Sequence, residues 1–255
     1  MSSLRNFAYA QARIQARYGQ RPSEAVWRQL SGAGDFVLYL EHARASKLRP
    51  WVASFSFSTE AHDMEARLRA AMRTLIGEVA DWLPREWGPA VRWTVHLTTL
   101  SAVLHLSRGG EVHPWMRHDE GLAPLLAASP GASSSGFAGI PASIAQALAH
   151  GDWLLDAWLA EWRRLWPPMG ERERRSLERL ASVVRSHLWD FAHISREHAW
   201  EVRRTLEQKL SHLFRRIAFE PAAAFVYLAL VALDLERLRA ALVGRALYPH
   251  VRGVP

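Results

Sequence analysis

Two dipeptides, His62-Asp63 and His118-Asp119, are the residues of this 255-residue sequence whose types and spacing come nearest to chemistry. Each sets an imidazole nitrogen beside a carboxylate, a pairing able to hold a divalent metal. Twelve His and eight Asp in a chain of this length supply about 0.4 such pairs by composition alone. Neither neighbourhood in the sequence carries the further clustered ligands that a metal centre needs, so the expectation is no metal, no cofactor and no catalytic residue. In "HISREH", residues 193–198, His193 and His198 are five apart and diverge on a helix, which predicts surface or helix-facing histidines. The nucleotide-binding pattern GxxxxGK[ST], GxGxxG after a strand, HExxH and GxSxG are all absent from the sequence.

The elements that must position these residues share a period near 3.6. Met64, Leu68, Met72, Leu75, Val79 and Trp82 form one apolar stripe, with Thr59 expected as its N-cap and Pro84 as its stop. Further helices are predicted over 4–17, 23–30, 35–45, 89–107, 113–127, 142–166, 171–217 with at least one break, and 221–248. Ser23 and Asp35 read as helix starts, and Gly109-Gly110 and Pro167-Pro168 as ends. No run alternates with period two, so the fold class is all-α. Trp158, Trp162 and Trp166 stand at i, i+4, i+8 and make one large face, which is core if a helix covers it and a docking surface if left open.

"SPGASSSGFAGIP", residues 129–141, is uncharged and rich in Gly, Ser and Pro, as a flexible linker is. It divides the chain into a predicted N-terminal helical unit, 1–128, and a C-terminal one, 142–255. The apolar run from Ala222 to Leu233 spans twelve residues, about 18 Å of helix, which is too short for a membrane core of about 30 Å. A core helix is the expectation there. No Cys is present, so disulfides and thiolate metal sites are excluded. The formal net charge is +7, with only two Lys, Lys47 and Lys209, among the basic residues. Acids and bases alternate in "GERERRSLERL", residues 170–180, which predicts a solvated face more than a nucleic-acid groove and makes Arg172 dispensable.

The two ends of the chain carry a family resemblance. In "FAYAQARIQARYG", Phe7, Tyr9, Ala12, Arg13 and Ile14 match an aromatic-x-Tyr-x-Asn-Ala-Arg-Val pattern in which Gln11 stands at the Asn. "VWRQLSGAGDFVLYLEHARASKLRPWV", residues 26–52, continues it with a short helix, a turn before Asp35 and a helix ending near Pro50-Trp51. In "YLALVALDLERLRAALVGR", Tyr227, Leu228, Asp234, Leu235, Leu238, Arg239, Leu242, Gly244 and Arg245 fall in register with a closing Tyr-Leu-Leu-x-Lys-Glu-x-Glu-Ile-x-Asn-Leu-Arg-x-Ile-Leu-x-Gly-Lys, while Val231, Ala232 and Arg237 replace its Lys, Glu and Asn. These segments resemble the C-type subunits, d-type in eukaryotes, of V-type and archaeal-type rotary ATPases.

The resemblance implies a funnel-like bundle of two or more similar helical units, short for that family, and a function without an active site. Members of that family form a socket between the central stalk and the membrane rotor ring, coupling rotation to proton or sodium transport. The resemblance implies a cytoplasmic location peripheral to the membrane, stalk and ring subunits as partners, and no nucleic acid. Phe7, Tyr9, Arg13, Arg237, Arg239 and Arg245 are then the candidate partner interface. The alternatives are a stand-alone helical adaptor, a helical nucleic-acid-binding protein and a metal-dependent His-Asp phosphohydrolase.

Overall fold

The computed structural model describes residues 2–127 and 140–247. Among these the chain is helical, with no strand. Residues 129–139 of the predicted linker lie outside the described residues.

The helices are α1 (Ser2–Gly19), α2 (Glu24–Ser31), α3 (Phe36–Arg44), α4 (Arg49–Val52), α5 (Ala61–Trp82), α6 (Gly88–Trp93), α7 (Leu100–Ser107), α8 (Pro114–Arg117), α9 (Ala123–Ala127), α10 (Ala142–His150), α11 (Leu154–Arg164), α12 (Glu171–His193), α13 (Ala199–Arg216) and α14 (Ala222–Leu247). Ser23 and Asp35 cap as the sequence predicts. The Ser23 hydroxyl accepts from the Val26 N–H and the Asp35 carboxylate from the Leu38 N–H, each satisfying one orphan donor of a first turn. Thr59 does not cap α5. Its hydroxyl accepts from the Ser56 N–H at 2.8 Å, closing the preceding turn, and the helix starts two residues later.

Where long helices were predicted, the breaks have local causes. The span 89–107 is interrupted by a 3₁₀ segment, Thr94–Thr98, in which the Thr94 and Thr98 hydroxyls donate to the carbonyls of Val91 and Val95. A hydroxyl bonded three residues back competes for the helical acceptors and favours the tighter turn. The span 142–166 breaks at Gly151, whose φ of 73° is a conformation that side-chain-bearing residues rarely adopt. Ile194, extended at ψ 152°, ends α12 and turns the chain back into α13. Gly109, at φ 76°, ends the segment after α7 as predicted.

The chain forms two compact units, each assembled from three stretches: one from 1–19, 76–94 and 158–233, the other from 20–75, 95–157 and 234–255. The division therefore differs from the two consecutive halves that the linker suggests. Three of the boundaries fall inside α-helices, α5, α11 and α14.

In the first unit, aromatic side chains make the core. Trp158 stacks on Trp162 at 5.6 Å, Trp162 meets Trp166 edge-on at 4.9 Å, and Phe225 of α14 packs edge-on against Trp162 at 4.9 Å and Trp87 at 6.3 Å. The Trp face is thus core at Trp158 and Trp162, which are buried. Trp93 and Trp158 exchange indole N–H bonds to each other's carbonyls, at 3.1 and 3.4 Å, which locks α6 against α11. α12 and α13 pair as a helical hairpin. Ala222 to Leu228 are all buried, as are Leu230 and Val231, which makes the apolar run a core helix; no described helix is long and apolar enough to cross a membrane.

The second unit buries Trp27, Leu30, Tyr39, Leu40, Val52 and Phe55 from α2 to α4 and the turn that follows, with Met64 and Leu68 of α5. A further cluster of Ala102, Val103, Met116 and Leu122 gathers Leu106, Trp115 and Leu148 around it. Each large apolar side chain so buried contributes about 1.5–3 kcal/mol.

Candidate functional site

The polar residues of the closing helix are placed by the opening segments of the chain. In the second unit, Asp234 interrupts the apolar run of α14 and receives Arg21 bidentately, Nε at 2.6 Å and Nη2 at 3.0 Å. Both side chains are nearly buried, 10% and 7% exposed, so each charge depends on the other. One turn on, Arg237 pairs with Glu24 at 3.0 Å and covers the Trp27 ring at 4.7 Å. Arg239 reaches Glu65, a buried carboxylate of α5 that also accepts from Arg69 at 2.8 Å. Arg245 is buried, donates Nε and Nη2 to the Ala33 carbonyl after α2, and lies 4.4 Å over the Tyr39 ring. Burial pushes the Tyr39 hydroxyl up to about 12, against the opposing pull of the Arg245 and Arg237 cations.

In the first unit, Gln11 of α1 is buried and accepts from the Phe219 N–H at 3.2 Å. Phe219 turns the chain from α13 into α14 at φ 61°, where a side chain is strained, and the Gln11 amide holds that turn. Phe7 sets its edge toward Trp87 at 6.4 Å. Tyr9 is 54% exposed, and Arg13, also exposed, lies over both the Tyr9 ring at 5.1 Å and the Trp82 ring at 5.6 Å.

The six residues predicted as a partner interface therefore have different placements. Tyr9 and Arg13 present an exposed aromatic–cation pair. Arg237 and Arg239 are half-buried and paired within the chain, and Arg245 is buried and tethered to the Ala33 carbonyl. Sequence reading missed Glu24 and Glu65 as the counterparts of Arg237 and Arg239, and Arg21 as that of Asp234. The available signal was a charge where the stripe calls for an apolar residue: Glu65 beside Met64, and Asp234 ending an apolar run.

The two His-Asp dipeptides also meet. His62 and Asp63 occupy the first turn of α5, and His118 follows α8 as its C-cap. One ligand atom from each of His62, Asp63 and His118 lies within 4.8 Å of the others, and the two imidazole rings stand 5.1 Å apart. Asp119 does not join them: it is buried, and its Oδ1 accepts from Arg73 Nη1 and the Gly121 N–H, both at 2.8 Å. Neither sequence neighbourhood holds a set of ligands by itself, and each supplies what the other lacks. His193 and His198 remain separate and exposed, bonded to the Trp189 carbonyl and the Ser195 hydroxyl.

No family model, no curated protein and no solved structure matches this chain.

Proposed function

We propose that this protein is a non-catalytic socket of a V-type or archaeal-type rotary ATPase, a funnel-like helical body that couples the central stalk to the membrane rotor ring during proton or sodium transport. The observation that carries the reading is the role of the residues in register with that family's closing helix. Asp234 and Arg245, two of the polar positions in that register, are bonded to Arg21, which lies between the two segments that resemble the family's opening, and to the Ala33 carbonyl, within the second of them. The closing helix that carries the resemblance is therefore bonded to the opening part of the chain in the second unit.

A socket of this kind transmits torque through packing. Interdigitated helices resist shear because a displaced side chain loses many small contacts at once. The absence of a described membrane-spanning helix is compatible with a peripheral position, and a net charge of +7 favours a surface beside acidic headgroups. The exposed Tyr9–Arg13 pair is the contact surface this reading assigns to a partner.

The test compares ATP hydrolysis with ion transport in membranes with and without the protein. Removal leaves hydrolysis by the soluble head in place and abolishes pumping. Unchanged pumping defeats the proposal and returns the protein to the class of helical adaptors.

A further inference from the structure

We propose that His62, Asp63 and His118 form a binding site for one divalent ion of the zinc class, independent of any role in a rotary complex. Two imidazoles and one carboxylate suit Zn²⁺ and its first-row neighbours, whereas Mg²⁺ and Ca²⁺ prefer oxygen donors throughout. Three protein ligands leave at least one position of a tetrahedral ion to water or to an anionic ligand.

The ligands come from two segments distant in the sequence, the first turn of α5 and the residue that follows α8. His62 Nε2 stands 3.8 Å from Asp63 Oδ1, while its Nδ1 lies 3.2 Å from Glu60 Oε2. The Glu60 charge 3.2 Å from Nδ1 favours the tautomer that carries the proton there and leaves the Nε2 lone pair for a metal, as carboxylates beside metal-binding histidines do. Glu60 is thus a positioning residue, and His62, Asp63 and His118 are the ligands.

His118 is held in register by its neighbour. Asp119, buried beside it, is bound by Arg73, which projects from the same helix that carries His62 and Asp63. The ion pair fixes the turn after α8 to α5 and brings the two dipeptides to one place. A tetrahedral ion with bonds of about 2.1 Å needs ligand atoms about 3.4 Å apart, closer than the separations of up to 4.8 Å here. His62 and Asp63 are only partly buried and His118 is exposed, so these side chains have freedom to turn toward one ion. The N-terminus of α5 places positive partial charge near the site, and Asp63 and Glu60 oppose it.

The experiment is calorimetric titration of the full chain, stripped with chelator, with Zn²⁺ alone. One ion per chain is expected, with no comparable uptake of Mg²⁺. His118→Ala and His62→Ala each weaken the affinity at least tenfold, and Glu60→Gln weakens it less. His193→Ala/His198→Ala leaves it unchanged, which separates this site from the chain's other histidines. With Co²⁺ as the probe, the visible spectrum of the wild-type complex shows low-coordinate nitrogen and oxygen ligation and is lost in His118→Ala. Helical circular dichroism confirms that the variants fold, which their surface positions predict. Absence of stoichiometric Zn²⁺ uptake by the folded chain overturns the proposal, and so does equal affinity in the wild type and both His→Ala variants. Neither result bears on the coupling function, which is read from transport.

Discussion

At the scale of single residues, the strongest dependences are charges withdrawn from water. Asp234 and Arg21 are both nearly buried and bond bidentately, so removing one leaves the other desolvated without its counter-charge. Asp234→Ala is expected to cost about 3–5 kcal/mol, read as a shift of the urea midpoint. Arg237→Ala, whose partner Glu24 is exposed, costs about 0–1 kcal/mol in the same measurement. His96 sets a pH dependence. Burial lowers its pKa, so the unfolded chain takes up a proton near about pH 6.5 while the folded chain stays neutral. Its contribution to stability is complete above that pH and is lost as pH falls toward the depressed folded value. His96→Gln is expected to flatten the fall of the thermal midpoint between pH 7 and pH 5; an unaltered profile refutes the assignment.

At the scale of elements, α14 decides the fold of both units, because its residues up to Leu233 belong to one and those from Asp234 to the other. Leu230 is fully buried in its apolar half. A carboxylate there has no partner and its desolvation costs several kcal/mol, so Leu230→Asp is expected to abolish folding, checked by loss of helical circular dichroism. Arg172, expected from its mixed-charge surroundings to be dispensable, has a specific task. Its Nε donates at 2.7 Å to Glu220, a buried carboxylate at the start of α14 that also accepts from the Ser176 hydroxyl. Arg172 is itself 78% exposed and Ser176 still donates to Glu220, so Arg172→Ala is expected to cost about 1 kcal/mol, at the top of the range for an exposed pair. Equal midpoints for this variant and the wild type would show that Ser176 alone suffices.

At the scale of the whole molecule, the coupling proposal separates two kinds of arginine that look alike in the sequence. Arg13→Glu changes an exposed side chain and is expected to weaken assembly with partner subunits while the isolated chain keeps its thermal midpoint. Arg245→Glu replaces a buried guanidinium that donates to the Ala33 carbonyl, and is expected to unfold the chain before any partner is involved. Co-purification from membranes alongside thermal melts distinguishes the two outcomes. A normal complex with Arg13→Glu would remove the Tyr9–Arg13 surface from the proposal.

Local sequence sufficed for the all-α class, the caps at Ser23 and Asp35, the end at Gly109 and the burial of the run in α14. These follow from the 3.6-residue period, from side-chain oxygens beside orphan amides and from the conformational freedom of glycine, all of which act within a few residues. Helix interruptions at Thr94–Thr98 were less legible, because a hydroxyl chooses its acceptor only once the backbone is placed. Long-range packing alone brings Arg21 to Asp234, 213 positions away, and His118 to His62. Periodicity tells which face of a helix is buried but not which other face covers it. That choice is made by packing across the whole chain, and a single sequence carries no local trace of it.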